Sequence, residues 1–380
     1  MLYEIHFLKN YPPCNLNRDD AGSPKTCVFG GTVRGRISSQ SLKRAWRTSP
    51  LFKSLLQKPG VRTRHLPDMV AEKLEDLPRD VVEALKLKIT GIANKEGREN
   101  EDKKTSQVVF YSLEDIEAVA GFAREIAKDK TAKQIEKIKL KEVLKEGFKD
   151  FEVRPITLDI ALFGRMVTSS AFRDVEAAMQ VAHAISTHTV TRESDFYTAV
   201  DDLIDENDKP LDANNDSGAA MMGDIDFNSC CYYHYAAIDT DILSENLKDS
   251  PDRRKLLEAI LPAFVQILAC ENPTGKQNSF AAHVLPDLVV VEVKEHKVPT
   301  SYANAFAEPA RIYGKNGFVG LVEDSVERLS HEIDMIDNAY GLEVKHRAWF
   351  SPRYADVKPA KAENVHSFQK LKDLLTTWSK

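Results

Sequence analysis

The sequence predicts an α+β protein whose sheet is interrupted early by a large helical insertion. Three observations carry this. Short apolar runs with period-two alternation are spaced along the chain, helical periodicity lies between them, and roughly one hundred helix-like residues follow a single β-α unit. At 380 residues the chain can bury a sizeable core, as two domains or one elaborated domain.

The elements follow in order. "LYEIHFL" alternates as a strand that opens a sheet, and "YPPCNLNRDDAGSPK" reads as a loop. "VRGRI" is extended, with Arg34 and Arg36 on one side of the backbone. Ser38 reads as the N-cap of a helix to about Thr48, which Ser49-Pro50 ends. Leu42, Ala45 and Trp46 share its apolar face, and Gln40, Lys43, Arg44 and Arg47 share the other. Residues 51–150 read as helical, with a loop at "GIANKEGRENEDKKTSQ" and a lysine-rich end best explained as a solvated helix face. "ITLDIALFGRMV" is expected as a strand and "DVEAAMQVAHAIST" as an amphipathic helix. "TRESDFYTAVDDL" and "NSCCYYHYAAID" read as strands flanking a polar excursion, which together make a long protruding hairpin. "RRKLLEAILPAFVQILACE" is a buried helix, "PDLVVVEVKE" the last clear strand, and "VERLSHEIDMIDNAYG" and "FQKLKDLLTTWSK" further helix.

Composition limits the function classes. The five cysteines are odd in number and form no CxxC pair, which argues against a disulfide framework or a structural zinc site. No apolar run is long enough to span a bilayer, and the start lacks the basic and small-residue features of a signal peptide, so a soluble cytoplasmic protein is expected. The net charge of -6 is unevenly spread. Residues 18–47 hold seven basic and two acidic residues, whereas residues 201–226 hold nine acidic and one basic.

The basic segment is the strongest functional signal. "FGGTVRGRISSQSLKRAWR" gathers Arg34, Arg36, Lys43, Arg44 and Arg47 around a helix start, whose free N–H groups and dipole favour an anion. Gly30, Gly31 and Gly35 would let a backbone approach a bulky ligand. A phosphate backbone is the anion such a patch fits. Walker and GxGxxG signatures are missing, so a small-molecule kinase or dehydrogenase is not expected. Asp19 and Asp20 are candidate metal ligands or general bases, but paired loop aspartates more often form turns. His183 and His188 are five apart and do not align as helical metal ligands, and no nucleophile elbow supports a serine triad. In the acidic excursion, Met221, Met222 and Ile225 suit wedging against bases or a neighbouring subunit.

Several of these stretches occur together in one family. "NRDD", "FGG", "RISSQSLKRA", "DIALFGRMVTS", "AHAISTHTV", "FYTAVDDL", "GKQNSFAAHVLPD" and "SYANAF" resemble the CasC-type backbone subunits of type I-E CRISPR Cascade, in the repeat-associated mysterious protein superfamily. The resemblance implies an RNA-recognition-motif-like (ferredoxin-like) palm at 1–50 and 151–380, helical fingers at 51–150 and a thumb hairpin at 202–226. It implies a non-catalytic subunit that oligomerises along CRISPR guide RNA, grips its phosphates and presents bases for pairing with target DNA. Arg18, Arg34, Arg36, Ser38, Gln40, Lys43, Arg44 and Arg47 would meet the phosphates. Met166 and Met222 would bracket a displaced nucleotide, with Lys276 and Gln277 on a nearby loop. Implied partners are guide RNA, the target DNA strand, other copies of the chain, and the Cascade subunits that bind the guide 5′ and 3′ ends together with the large and small subunits. No cofactor, metal or membrane is implied. The segment 202–226 is longer and more acidic than the family pattern. Relatives that cut target RNA with a loop aspartate make a metal-dependent ribonuclease using Asp19 and Asp20 the alternative.

Overall fold

The computed structural model describes residues 1–55, 60–94, 97–140, 143, 154–169, 171–199, 221–314, 317–318 and 320–379. Its strands are β1 (Leu2–Cys14), β2 (Thr26–Phe29), β3 (Thr32–Ile37), β4 (Val61–Thr63), β5 (Val109–Tyr111), β6 (Met179–Val181), β7 (Ala184–Ser186), β8 (Glu193–Ala199), β9 (Met221–Asp239), β10 (Leu288–Lys294), β11 (Tyr313–Gly314), β12 (Gly317–Phe318), β13 (His346–Phe350) and β14 (Glu363–Asn364). The main sheet runs β14-β13-β10-β1-β9-β7-β3-β2, with β6 and β8 also paired to β9. It is mixed: β13 and β14 are parallel, and the other pairs are antiparallel.

Period-two alternation along β1 sends its side chains to two cores. Ile5 and Phe7 face Trp46, Phe264, Leu268 and Leu371, which come from the helices Ser39–Thr48 (α1), Arg253–Cys270 and Phe368–Trp378. Leu2 and Leu8 face Phe306, Val326, Leu329 and Ile333 beneath the helix Leu321–Tyr340. Charges are also buried on this second face. Lys294 meets Glu4 at 2.5 Å and Glu292 at 3.2 Å, and Arg347 joins Glu292 at 2.7 Å to Asp337 at 2.6 Å. The helical insertion packs on a third core, built around Leu85, Ile89, Val119, Phe122 and Ile135 and joined by Ala171 and Phe172.

Four expectations are corrected. The stretch read as a strand at 156–167 holds the helix Leu158–Phe163, in which Leu158, Ile160, Ala161 and Leu162 are all buried. A short apolar run buried on all sides carries no period to separate helix from strand. It ends at Gly164, whose φ of 79° suits glycine. The stretch read as a helix at 174–187 forms β6 and β7, because pairing with β9 outweighs a modest local preference. The 51–150 block is not purely helical: β4 and β5 pair within it. And β10 is followed by β13 and β14.

The hairpin expectation keeps its paired base. β8 and β9 pair from Glu193↔Phe227 to Ala199↔Met221, while residues 200–220, which hold most of the 202–226 thumb, lie outside the described residues. Asp226 ties this base to the loop before β2, accepting from Ser23 Oγ at 2.5 Å and pairing with Arg192 at 3.3 Å.

Candidate nucleic-acid interface

Helix α1 organises the site. Ser38 Oγ accepts from the Ser41 backbone N–H, and the Ser38 N–H donates to Asn17 Oδ1 at 2.8 Å, so the cap is locked to the preceding loop. Leu42, Ala45 and Trp46 are buried, which turns Gln40, Lys43, Arg44 and Arg47 outward as the helical period requires.

The outward face lines an open groove of about 990 Å³. One wall is α1; the other comes from the β4–β5 ribbon and the end of helix Leu158–Phe163. Among the described residues, the cations at its surface are Lys43, Arg44, Arg47, Arg62 and Arg165, and no carboxylate lines it. Lys43, Arg44, Arg47 and Arg62 have no ion pair among the described residues, whereas Arg165 is neutralised by Asp115 at 2.6 Å. Burial holds the Lys43 ammonium and the Arg47 guanidinium below their ordinary pKa values, and for Arg47 the neighbouring Asp159 carboxylate partly offsets this. Such an array is electrostatically costly empty and favourable beside an anion.

A second hollow of about 640 Å³ continues past Asn17, Ser41 and Arg44, which line both, to Arg18, Asp19, Asp20, Thr274 and Gly275. Lys276 and Gln277 follow that last pair in sequence. Gln277 turns its amide inward, with Nε2 donating to Pro273 O at 3.0 Å. Asp19 acts as a turn former: its Oδ1 accepts from the Ala21 and Ser23 backbone N–H groups at 3.0 and 2.9 Å.

The structure thus gathers Arg18, Ser38, Gln40, Lys43, Arg44, Arg47 and Met166 along one continuous depression, with Met166 84% exposed at its rim. Arg34 corrects the expected cluster. It is fully buried, and its guanidinium donates to Thr32 Oγ1, Ser186 O, Phe306 O and Ala307 O. Arg36 lies outside the depression, donating to Thr26 O and to His183 Nδ1. The glycine reading changes likewise: a Cβ on Gly30, at φ 58°, would stand 1.8 Å from Ala307 O, so the close approach is to protein. The Met222 backbone pairs with Thr198, and its side chain lies outside the described residues.

Sequence reasoning missed Arg62, Val108 and Phe110. They sit in a block read as helical, and the available signal was the short β-rich run "QVVFY" after the polar loop.

A chain of a solved "CRISPR RNA-guided surveillance complex, pre-nicking" is 29% identical, with a TM-score of 0.78 and 100% of both chains covered. A chain of a solved "CRISPR RNA-guided surveillance complex" is 25% identical, with a TM-score of 0.60 and 100% of both chains covered. Comparison with the curated proteins returns no match. No helix among the described residues is long and apolar enough to cross a membrane. The family model described as CT1975-like protein matches residues 3–377, and the chain belongs to that family.

Proposed function

We propose that this chain is a non-catalytic, CasC-type backbone subunit of a Cascade surveillance complex, which lines up in several copies along CRISPR guide RNA. The observation that carries the reading is a groove in which, among the described residues, no carboxylate appears and Lys43, Arg44, Arg47 and Arg62 have no ion pair. Such a surface grips phosphates and leaves sequence to base pairing with the target DNA strand. One patch per copy suffices in an acidic chain, because copies on one RNA act together. Full-length likeness to chains of RNA-guided surveillance complexes supports the same setting, with the other Cascade subunits as partners.

The architecture supports the details. The order β10-β1-β9-β7, with helices between β1 and β7 and between β9 and β10, fits an RNA-recognition-motif-like palm. The core that residues 66–140 mostly build suits a fingers unit, and the β8–β9 base suits a thumb. The metal-dependent ribonuclease alternative draws little from Asp19, whose Oδ1 is engaged by turn amides.

Sedimentation of the protein with RNAs of increasing length, with divalent metal present, tests both readings. The expected result is a copy number that rises in step with length on intact RNA. A fixed single copy would refute the backbone role, and metal-dependent cleavage lost in Asp19→Ala/Asp20→Ala would favour the nuclease.

A further inference from the structure

The wall of the groove opposite α1 has an arrangement that the phosphate-binding helix does not explain. Arg62 and Phe110 are direct cross-strand partners in the β4–β5 ribbon. The Arg62 guanidinium carbon lies 5.6 Å from the centre of the Phe110 ring. Arg47, reaching across from α1, lies 5.0 Å from the same ring centre. One aromatic ring, itself packed against the core beneath α1, therefore holds one guanidinium from α1 and one from the ribbon.

Among the described residues nothing neutralises this pair at the surface. Neither arginine has an ion pair among the described residues, and Arg62 is exposed. The nearest carboxylate acting on Arg47 is Asp159, which is fully buried beneath it and already engaged by Thr157 Oγ1 at 2.6 Å. Like charges held together in a groove without a counterion form a binding site when the ligand is an anion. Guanidiniums fixed in orientation suit phosphate oxygens, because less side-chain freedom is lost on binding.

We propose that Arg47, Phe110 and Arg62 form a clamp for one phosphate of the bound RNA strand, in which Phe110 is a positioning residue that presents the two guanidiniums. The inserted block then does more than decorate the sheet: its ribbon closes the RNA groove from the side opposite α1. This inference rests on the RNA-binding reading above.

The test is binding of single-stranded RNA, measured by fluorescence anisotropy across a salt series with the full chain. The variants are Arg62→Ala, Phe110→Leu, Phe110→Trp, Arg47→Ala/Arg62→Ala and the triple variant that adds Phe110→Leu to that pair, with thermal unfolding measured for each. Arg62→Ala is expected to weaken binding on the order of tenfold, with a log–log salt slope shallower by about 0.7, as loss of one single-strand phosphate contact requires. Phe110→Leu is expected to weaken binding at an unchanged unfolding temperature, Phe110→Trp to restore it, and the triple variant to bind no worse than Arg47→Ala/Arg62→Ala. A further loss on adding Phe110→Leu to Arg47→Ala/Arg62→Ala would overturn the positioning role, because Phe110 would then act independently of both arginines. An Arg62→Ala variant that keeps the wild-type affinity and slope, while Lys43→Ala/Arg44→Ala loses both, would overturn the clamp alone. A wild-type chain that binds no RNA would overturn the underlying reading and the clamp with it.

Discussion

Arg165 and Asp115 meet at 2.6 Å with side chains 2% and 3% exposed, and this pair fastens the inserted helical block to the segment that carries Met166. Asp115 also closes the capping box of helix Leu113–Ala127, accepting from the Ser112 N–H at 2.9 Å. A single carboxylate thus starts a helix and fixes one wall of the groove.

Replacing Arg165 by Ala strands that carboxylate in the interior, with Arg154 at 3.4 Å as its remaining ion-pair partner. The expected cost is about 3 kcal/mol of folding stability, as for other broken buried pairs. Denaturant unfolding of Arg165→Ala against wild type checks it. A loss within the range of ordinary surface substitutions would show that the pair is not a structural tie.

Arg34 and Arg44 separate a structural cation from a binding one. Arg34→Ala leaves two buried carbonyls and one half-buried carbonyl without this donor, and is expected to cost about 3 kcal/mol while the RNA salt slope stays at the wild-type value. Arg44→Ala, at an exposed position, is expected to keep stability within about 0.5 kcal/mol and to flatten the slope by about 0.7. Unfolding and anisotropy on the two variants read the opposite patterns directly.

Stability should fall as pH drops from about 6.5 toward 4, the span between the unfolded histidine pKa and the folded values here. Burial pushes His6 down to about 3, and it faces Glu292, Lys294 and Arg347. Burial pushes His188 down to about 4 with Arg34 nearby, and His234 well below its ordinary value with Lys9 nearby. Each depressed histidine contributes stability that is complete above the unfolded pKa. That stability is lost on acidification, because the unfolded chain takes up protons that the folded chain refuses. The slope per group is at most about 1.4 kcal/mol per pH unit. His234 stacks on Phe7 at 4.3 Å, with neither ring nitrogen hydrogen-bonded. His234→Phe should therefore flatten the slope by up to one proton without destabilising at pH 7.5. Unfolding midpoints between pH 7.5 and 5 that stay level in the wild type would contradict this.

Elements with strong local signals were legible in the sequence. Ser38, the three-to-four spacing of Leu42, Ala45 and Trp46, and the alternation in β1 each specify their element locally, and the structure follows them. The misread stretches are those where distant partners decide. β6 and β7 exist because β9 offers them a ladder, and helix Leu158–Phe163 is buried all round. The site divides in the same way. Exposed cations on α1 were visible from helical periodicity, whereas the burial of Arg34 depends on carbonyls of Phe306 and Ala307, more than 270 residues away. Arg62 and Phe110 become a site only when the inserted ribbon meets α1.

The central claim, that the outward face of α1 grips RNA phosphates, is tested most directly by the salt dependence of RNA binding in the Lys43→Ala/Arg44→Ala/Arg47→Ala variant. The account predicts weaker binding and a log–log slope shallower by about 2, from three lost phosphate contacts at about 0.7 each. A variant that keeps the wild-type affinity and slope would contradict it, whatever the copy number on the RNA.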